Sequence, residues 1–194
     1  NQAGTSYCVQ DKVTGLIWER KHSGNGSNLI NDFEDRYYWY NTDNESNAGI
    51  PGLNTMPANQ GSNRPCQGYV KEDESTWCNT ENYIQRMNDY NGTGYCGIDQ
   101  WRLPSIDELN SLIDYGQGTT ARAIDTDYFP NFSRRDVLYF WTSTNNARLA
   151  GEAWAVAFDF GVSVIEPKTL AYFVRLVHDP KNSESEQEES ETNE

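Results

Sequence analysis

Hydrophobic and polar residues alternate with two different periods along the chain. In NTENYIQRMNDYNG, Asn79 to Gly92, the capping-type Asn79 and Thr80 precede Tyr83, Ile84, Met87 and Tyr90 on one helical face, and Asn91-Gly92 closes the pattern. This predicts a first helix. In WRLPSIDELNSLIDYG, Trp101 to Gly116, Ile106, Leu109, Leu112 and Ile113 share a face, while Ser105 and Glu108 have the spacing of a capping box. This predicts a second. Asp107 and Glu108 then fall in its first turn, where the helix dipole favours negative charge by a few tenths of a kcal/mol, so these carboxylates need no chemistry to explain them.

Short β-rich runs surround the helices. GLIWE at Gly15 to Glu19 reads as an early strand, and LYFWTST, AWAVAF, VSVI and AYFVRLV follow downstream, separated by turn residues such as Asp159-Phe160-Gly161. They predict an antiparallel sheet. Two helices with several short strands make an α+β domain, expected over residues 1–178. Between Arg20 and about Asn63 the chain is rich in Asn, Gly and Ser, interrupted by the aromatic block RYYWYN at Arg36 to Asn41. Irregular stretches of this length tend to carry function.

Composition narrows the function classes. With 15 Lys and Arg against 29 Asp and Glu, the net charge is −14, which repels phosphate backbones and anionic membrane surfaces, so no nucleic-acid partner is expected. No apolar run approaches the roughly 18 residues of a membrane span, so no membrane insertion is expected. Abundant aromatics and the 4 cysteines point to a secreted or cell-surface protein, with any signal peptide already removed. Cys8, Cys66, Cys78 and Cys96 lack CxxC spacing, and His22 and His178 lie far apart, which argues against zinc. Four cysteines allow three pairings; Cys66 with Cys78 and Cys8 with Cys96 is the favoured one, though sequence alone does not select it. The segment 179–194 ends in KNSESEQEESETNE, which has one Lys, six Glu and no apolar side chain, so it cannot order itself by burial.

Two stretches offer candidate sites. In NTDNESNAG, Asp43, Glu45 and Asn47 place side-chain oxygens at alternate positions of a glycine-bearing loop, as a calcium ion prefers, and Asp32 and Asp35 in NDFED would complete the shell if the segments meet. A solvated turn is the competing reading. Tyr38, Trp39 and Tyr40 present aromatic faces suited to a sugar, though strand alternation turns part of this run inward. Nucleophilic catalysis has no matching pattern, since there is no G-x-S-x-G elbow and no convincing histidine relay. The protein is therefore expected to be non-catalytic.

Taken together, VTGLIWE at Val13 to Glu19, YYWYN at Tyr37 to Asn41, CGIDQWRLPSIDELNSLIDYG at Cys96 to Gly116, YFWTST at Tyr139 to Thr144 and YFVRLV at Tyr172 to Val177 resemble the bacterial Lcl C-terminal domain family. That resemblance implies a C-type-lectin-like fold in which Trp101 packs in the core, Arg102 pairs with a carboxylate or backbone carbonyls, and the segment braces the second helix. It also supports the pairing of Cys8 with Cys96. The family's association with surface adhesins leads to two functional expectations. The first is a self-assembling extracellular polymer, joined through the acidic C-terminal tail and calcium at the acidic loops. The alternative is an adhesin that binds a glycan through the aromatic loop region.

Overall fold

The computed structural model describes residues 7–22, 30–55, 65–117, 122–131 and 138–179. In chain order the regular elements are β1 (Cys8–Gln10), β2 (Ile17–Glu19), β3 (Tyr37–Tyr38), α1 (Thr80–Asn88), α2 (Ile106–Asn110), β4 (Tyr139–Asn145), β5 (Glu152–Ala157), β6 (Val162–Pro167), β7 (Ala171–Tyr172) and β8 (Val177–His178). The domain is mixed α+β with antiparallel strand pairing. The strands form three small sheets, ordered β1-β2-β8, β3-β7 and β4-β5-β6.

The helix starts follow the local chemistry of the sequence. Asn79 caps α1 by accepting a hydrogen bond from the Asn82 amide at 2.8 Å. At α2, Ser105 Oγ accepts from the Glu108 amide at 3.2 Å while the Glu108 carboxylate accepts from the Ser105 amide at 2.7 Å, which satisfies two otherwise orphaned donors. The α-helix proper then runs for 5 residues. It stops short of Leu112 and Ile113 because Ser111 Oγ takes the Glu108 carbonyl at 2.6 Å and the Ile113 amide bonds Asn110, a tighter turn.

AYFVRLV, expected as one strand, divides between two sheets. β7 pairs with β3, Phe173 continues alongside Phe140, and β8 then joins β2. The residue at the crossing is Arg175, which has no exposed surface and donates to the Glu19 carbonyl at 2.6 Å. Its guanidinium also lies 4.4 Å from the centre of the Phe129 ring, a cation–π arrangement.

The β4-β5-β6 sheet separates two hydrophobic clusters. Trp141, Ala153 and Ala155 face a cluster that includes Trp39, Tyr83 and Trp101. Phe140, Val156 and Phe158 face the other, with Trp18 and Leu109. Alternation along the strands thus fills both sides. Two disulfides close the domain with the favoured pairing, Cys8 to Cys96 and Cys66 to Cys78, spanning 88 and 12 residues. In the chain-entropy model the long loop contributes about 4 to 5 kcal/mol and the short one about 3 kcal/mol.

A buried charged group joins these parts. The Glu19 side chain has no exposed surface; it pairs with Lys21 Nζ at 2.7 Å, accepts from the Leu176 amide at 2.9 Å, and accepts a short hydrogen bond from the Tyr83 hydroxyl. Lys21 also donates to the Tyr83 hydroxyl at 2.8 Å. Burial lowers the Lys21 pKa, and the Glu19 carboxylate opposes that shift. Replacing Glu19 with Ala leaves the Lys21 ammonium without its counter-charge in the interior, a loss of about 3 to 5 kcal/mol. Urea unfolding of Glu19→Ala checks this, and a change below about 1 kcal/mol, the range of an exposed pair, contradicts it.

Candidate functional site

The chain leaving β3 is held against α1 by a dense set of backbone contacts. Thr80 Oγ1 accepts from the Tyr40 amide at 2.9 Å and donates to the Tyr40 carbonyl at 2.7 Å. One turn of contacts later, Glu81 accepts from the Thr42 amide at 2.6 Å and from the Thr42 hydroxyl at 2.9 Å. On the other side, the Leu53 amide reaches the Trp39 carbonyl at 3.1 Å. That approach requires Gly52, which has φ of +87° and where an added Cβ would stand 2.0 Å from the Trp39 carbonyl oxygen. Trp39 is anchored from below by its indole N–H, which donates to the Thr142 carbonyl at 2.8 Å.

The second wall comes from the segment before α2. Trp101 is 2% exposed and donates its indole N–H to the Tyr95 carbonyl at 2.9 Å. Arg102 then pairs its backbone with Val177 in both directions, each bond 3.0 Å. Its guanidinium binds Glu108 in a two-pronged arrangement at 2.8 and 2.7 Å, and reaches the Leu103 carbonyl at 3.2 Å. Asp179 takes the remaining side through Nε at 3.0 Å and a short contact to Nη2. The hydrogen bonds from Arg102 hold the carboxyls of both Glu108 and Asp179 below their ordinary range. Beside this segment, the Ser143 amide donates to the Pro104 carbonyl at 2.8 Å.

These walls enclose a cavity of about 250 Å³ bordered by Tyr40, Asn41, Glu81, Ile84, Arg102, Leu103 and Ser143, and by Trp39, which has no exposed surface of its own. Its lining residues are two aromatics, two aliphatics, a carboxylate, an amide, a hydroxyl and a guanidinium; the Asn41 amide is bonded to Ser46 and Asp43, the Glu81 carboxylate accepts from Thr42, and the Ser143 hydroxyl donates to the Pro104 carbonyl. Small-molecule sites are mostly apolar with a few polar groups, and this volume falls just below their range of about 300 to 1,000 Å³, which limits the cavity to a small group.

Of the three aromatic residues expected to meet a ligand, Tyr40 and Trp39 border this cavity. Tyr38 does not, and it is 3% exposed. The correction has a simple cause: both faces of β3 are covered, so alternation sends neither Tyr37 nor Tyr38 to solvent. The sequence pattern does not mark Asn41, Glu81, Ile84, Leu103 or Ser143 as site residues. Ile84 was legible only as part of an amphipathic helix, and Glu81 and Ser143 carry no motif.

The acidic segments are organised around internal donors. Asp43 accepts from the Glu45 amide at 3.0 Å and the Ser46 hydroxyl at 2.7 Å, and these bonds lower its pKa. Asn47 is buried and accepts from the Gly49 amide at 2.7 Å, while Glu45 is exposed. Asp32 accepts from the Glu34 amide at 2.8 Å, and Asp35 from the Gln67 amide at 2.7 Å. Among the described residues there is no group of three or more His, Cys, Asp or Glu side chains arranged to hold a metal ion. The cation at the Asp43–Ile50 loop is instead Lys168, 1% exposed, whose ammonium donates to the Asn47 and Ile50 carbonyls at 2.9 and 2.8 Å and lies 3.9 Å from the centre of a Trp39 ring. Burial lowers the Lys168 pKa to about 8. The proposed contact through the acidic tail falls on residues of which only Asp179 is described, and no helix among the described residues is long and apolar enough to cross a membrane.

What the geometry defines is a disulfide-closed α+β domain with a small mixed-polarity cavity on the path from β3 to α1. The Lcl C-terminal domain model matches residues 7–178, and the chain belongs to that family. No curated protein and no solved structure matches it.

Two outcomes follow from this geometry. Lys168→Met, which keeps the stem and removes the donors to two carbonyls, is expected to cost about 1 to 3 kcal/mol in thermal or chemical unfolding; an unchanged midpoint contradicts the anchoring role. Because Arg102 depresses the Glu108 pKa, the stabilisation from that carboxylate is present above the ordinary Glu value of about 4.3 and is lost as pH falls through the folded-state value. The stability of the wild type should therefore fall more steeply than that of Glu108→Gln between about pH 5 and pH 3, by up to about 1 kcal/mol after solvent screening; parallel curves contradict it.

Proposed function

We propose that this domain is a secreted, non-catalytic binding module whose cavity takes one residue of a carbohydrate. The observation that carries the reading is the convergence of Tyr40, Asn41, Glu81 and Ser143 with Ile84 and Leu103 around about 250 Å³. A sugar ring has apolar C–H faces and a rim of hydroxyls that both donate and accept. The aromatic and aliphatic walls suit the faces, and the amide, carboxylate and hydroxyl suit the rim. The two disulfides support an oxidising, extracellular setting. The C-type-lectin-like kinship implied by the sequence resemblance belongs to the same proposal. The charge of −14 disfavours densely anionic polymers, so the expected partners are neutral or sparsely charged glycans.

Self-association is a second reading, favoured by β6. That strand pairs with β5 at one edge of its sheet, and Val162 and Ile165 are 45% and 40% exposed, next to Phe160 at 66%. Exposed apolar edge strands pair with other chains. Light scattering of the wild type beside Ile165→Lys tests it: a larger species that the substitution dissociates supports assembly through this edge.

The carbohydrate reading is tested on a glycan array followed by calorimetry of the hits. Ile84→Trp, which fills the cavity from α1, is expected to reduce affinity at least tenfold while the unfolding midpoint shows the domain still folded. Undiminished binding by the folded variant would place the ligand elsewhere and overturn the reading.

A further inference from the structure

The hydrogen-bond inventory at Arg102 suggests what kind of sugar the cavity takes. A guanidinium has five N–H donors in a fixed fork. Here Nη1 serves Glu108 and the Leu103 carbonyl, Nη2 serves Glu108 and Asp179, and Nε serves Asp179. Every donor is engaged, so in this state Arg102 borders the cavity without an N–H to offer a ligand.

The two carboxylates are not equally fixed. Glu108 is 24% exposed, belongs to the first turn of α2, and also accepts from the Ser105 amide, so releasing it would undo the helix cap. Asp179 is 62% exposed, and its hydrogen bonds among the described residues are to Arg102 alone. It follows β8 directly, where the chain is tied to Arg102 by the backbone pair through Val177. Displacing Asp179 would expose two adjacent N–H groups, Nε and one of Nη2, with the spacing that binds a second carboxylate side-on.

We propose that the Asp179 carboxylate is an internal stand-in for a ligand carboxylate at Arg102, and that the cavity accepts a sugar bearing one carboxylate when that group displaces Asp179. This rests on the carbohydrate reading of the cavity and adds a charged subsite to it. Arg102 is the recognition residue, with Glu108 holding the guanidinium plane in place. Asp179 competes with the ligand, so affinity for acidic sugars is set by how readily this aspartate yields. The competition is local and compatible with the chain's overall negative charge, which still disfavours polymers with a charge on every residue.

The test compares D-galacturonate with D-galactose, which differ at the carbon that bears the carboxylate. Binding is measured by calorimetry and by the Arg102 Nε–H resonance in the full chain, in Asp179→Ala and in Asp179→Asn. In both variants galacturonate should bind about tenfold or more tighter than in the wild type, as expected for replacing a competed charge-assisted pair. Galactose affinity should not change, and the Nε–H resonance should move with galacturonate only. If galactose binds and galacturonate gains nothing in either variant, the carboxylate subsite is wrong while the cavity reading stands. If neither sugar binds any form and the Arg102 signal stays fixed, both fall. Loss of galacturonate binding in folded Arg102→Lys Asp179→Ala, which keeps the charge but not the fork, would complete the assignment.

Discussion

A carboxylate buried without exposed surface needs a counter-charge and hydrogen bonds to offset several kcal/mol of lost hydration, and Glu19 finds them in three partners. It ends β2, receives the amide of Leu176 just before β8, pairs with Lys21, and accepts from the Tyr83 hydroxyl of α1. Its own carbonyl accepts from Arg175 at the crossing between two sheets. The sheet at the chain ends, the first helix and the sheet-to-sheet crossing are therefore registered on one group.

The cavity inherits its geometry from that group. Tyr83 stacks on Tyr37 of β3 with ring centres 4.5 Å apart, which sets the strand against the helix. From β3 the chain runs on to Tyr40 and Thr42, and from Tyr83 the helix carries Glu81 and Ile84. Once the stack is fixed, the Thr80 and Glu81 bonds to Tyr40 and Thr42 follow, and one wall of the cavity is complete. The opposite wall depends on Arg102, whose backbone pairs with Val177 in β8 and whose side chain is oriented by the capping residue of α2. Its electrostatic character is set by neighbouring acids: a guanidinium already neutralised by Glu108 and Asp179 makes a far less positive surface than its residue type suggests.

Local features were legible in the sequence because local residues decide them. The caps at Asn79 and Ser105 use side chains within three positions of the amides they serve, and the strand runs downstream of the helices carry enough aromatic and β-branched residues to be read directly. The split of AYFVRLV was hidden because it depends on a buried partner for Arg175 that lies far away in the chain. Lys168 was missed for the same reason: the carbonyls it serves belong to a distant loop, and an isolated lysine before a Thr-Leu pair carries no signal. The acidic loop has the spacing of a cation site; two of its carbonyls, Asn47 and Ile50, serve Lys168, while the Asp43 and Asn47 side chains accept from neighbouring amides. The cavity draws on four separated segments, so composition could place aromatic residues near a ligand but could not say that Tyr38 turns inward while Tyr40 borders the opening.

In the proposed reading, the domain meets a sugar in the space between α1, the Tyr40–Thr42 segment and Arg102. The most direct measurement is a crystal structure of the domain with a saturating oligosaccharide selected from the array. The expected result is electron density for one sugar ring inside the cavity, against Tyr40 and within hydrogen-bond distance of Asn41, Glu81 or Ser143, with the rest of the oligosaccharide directed to solvent. A sugar ordered on another surface while the cavity holds only water would contradict it.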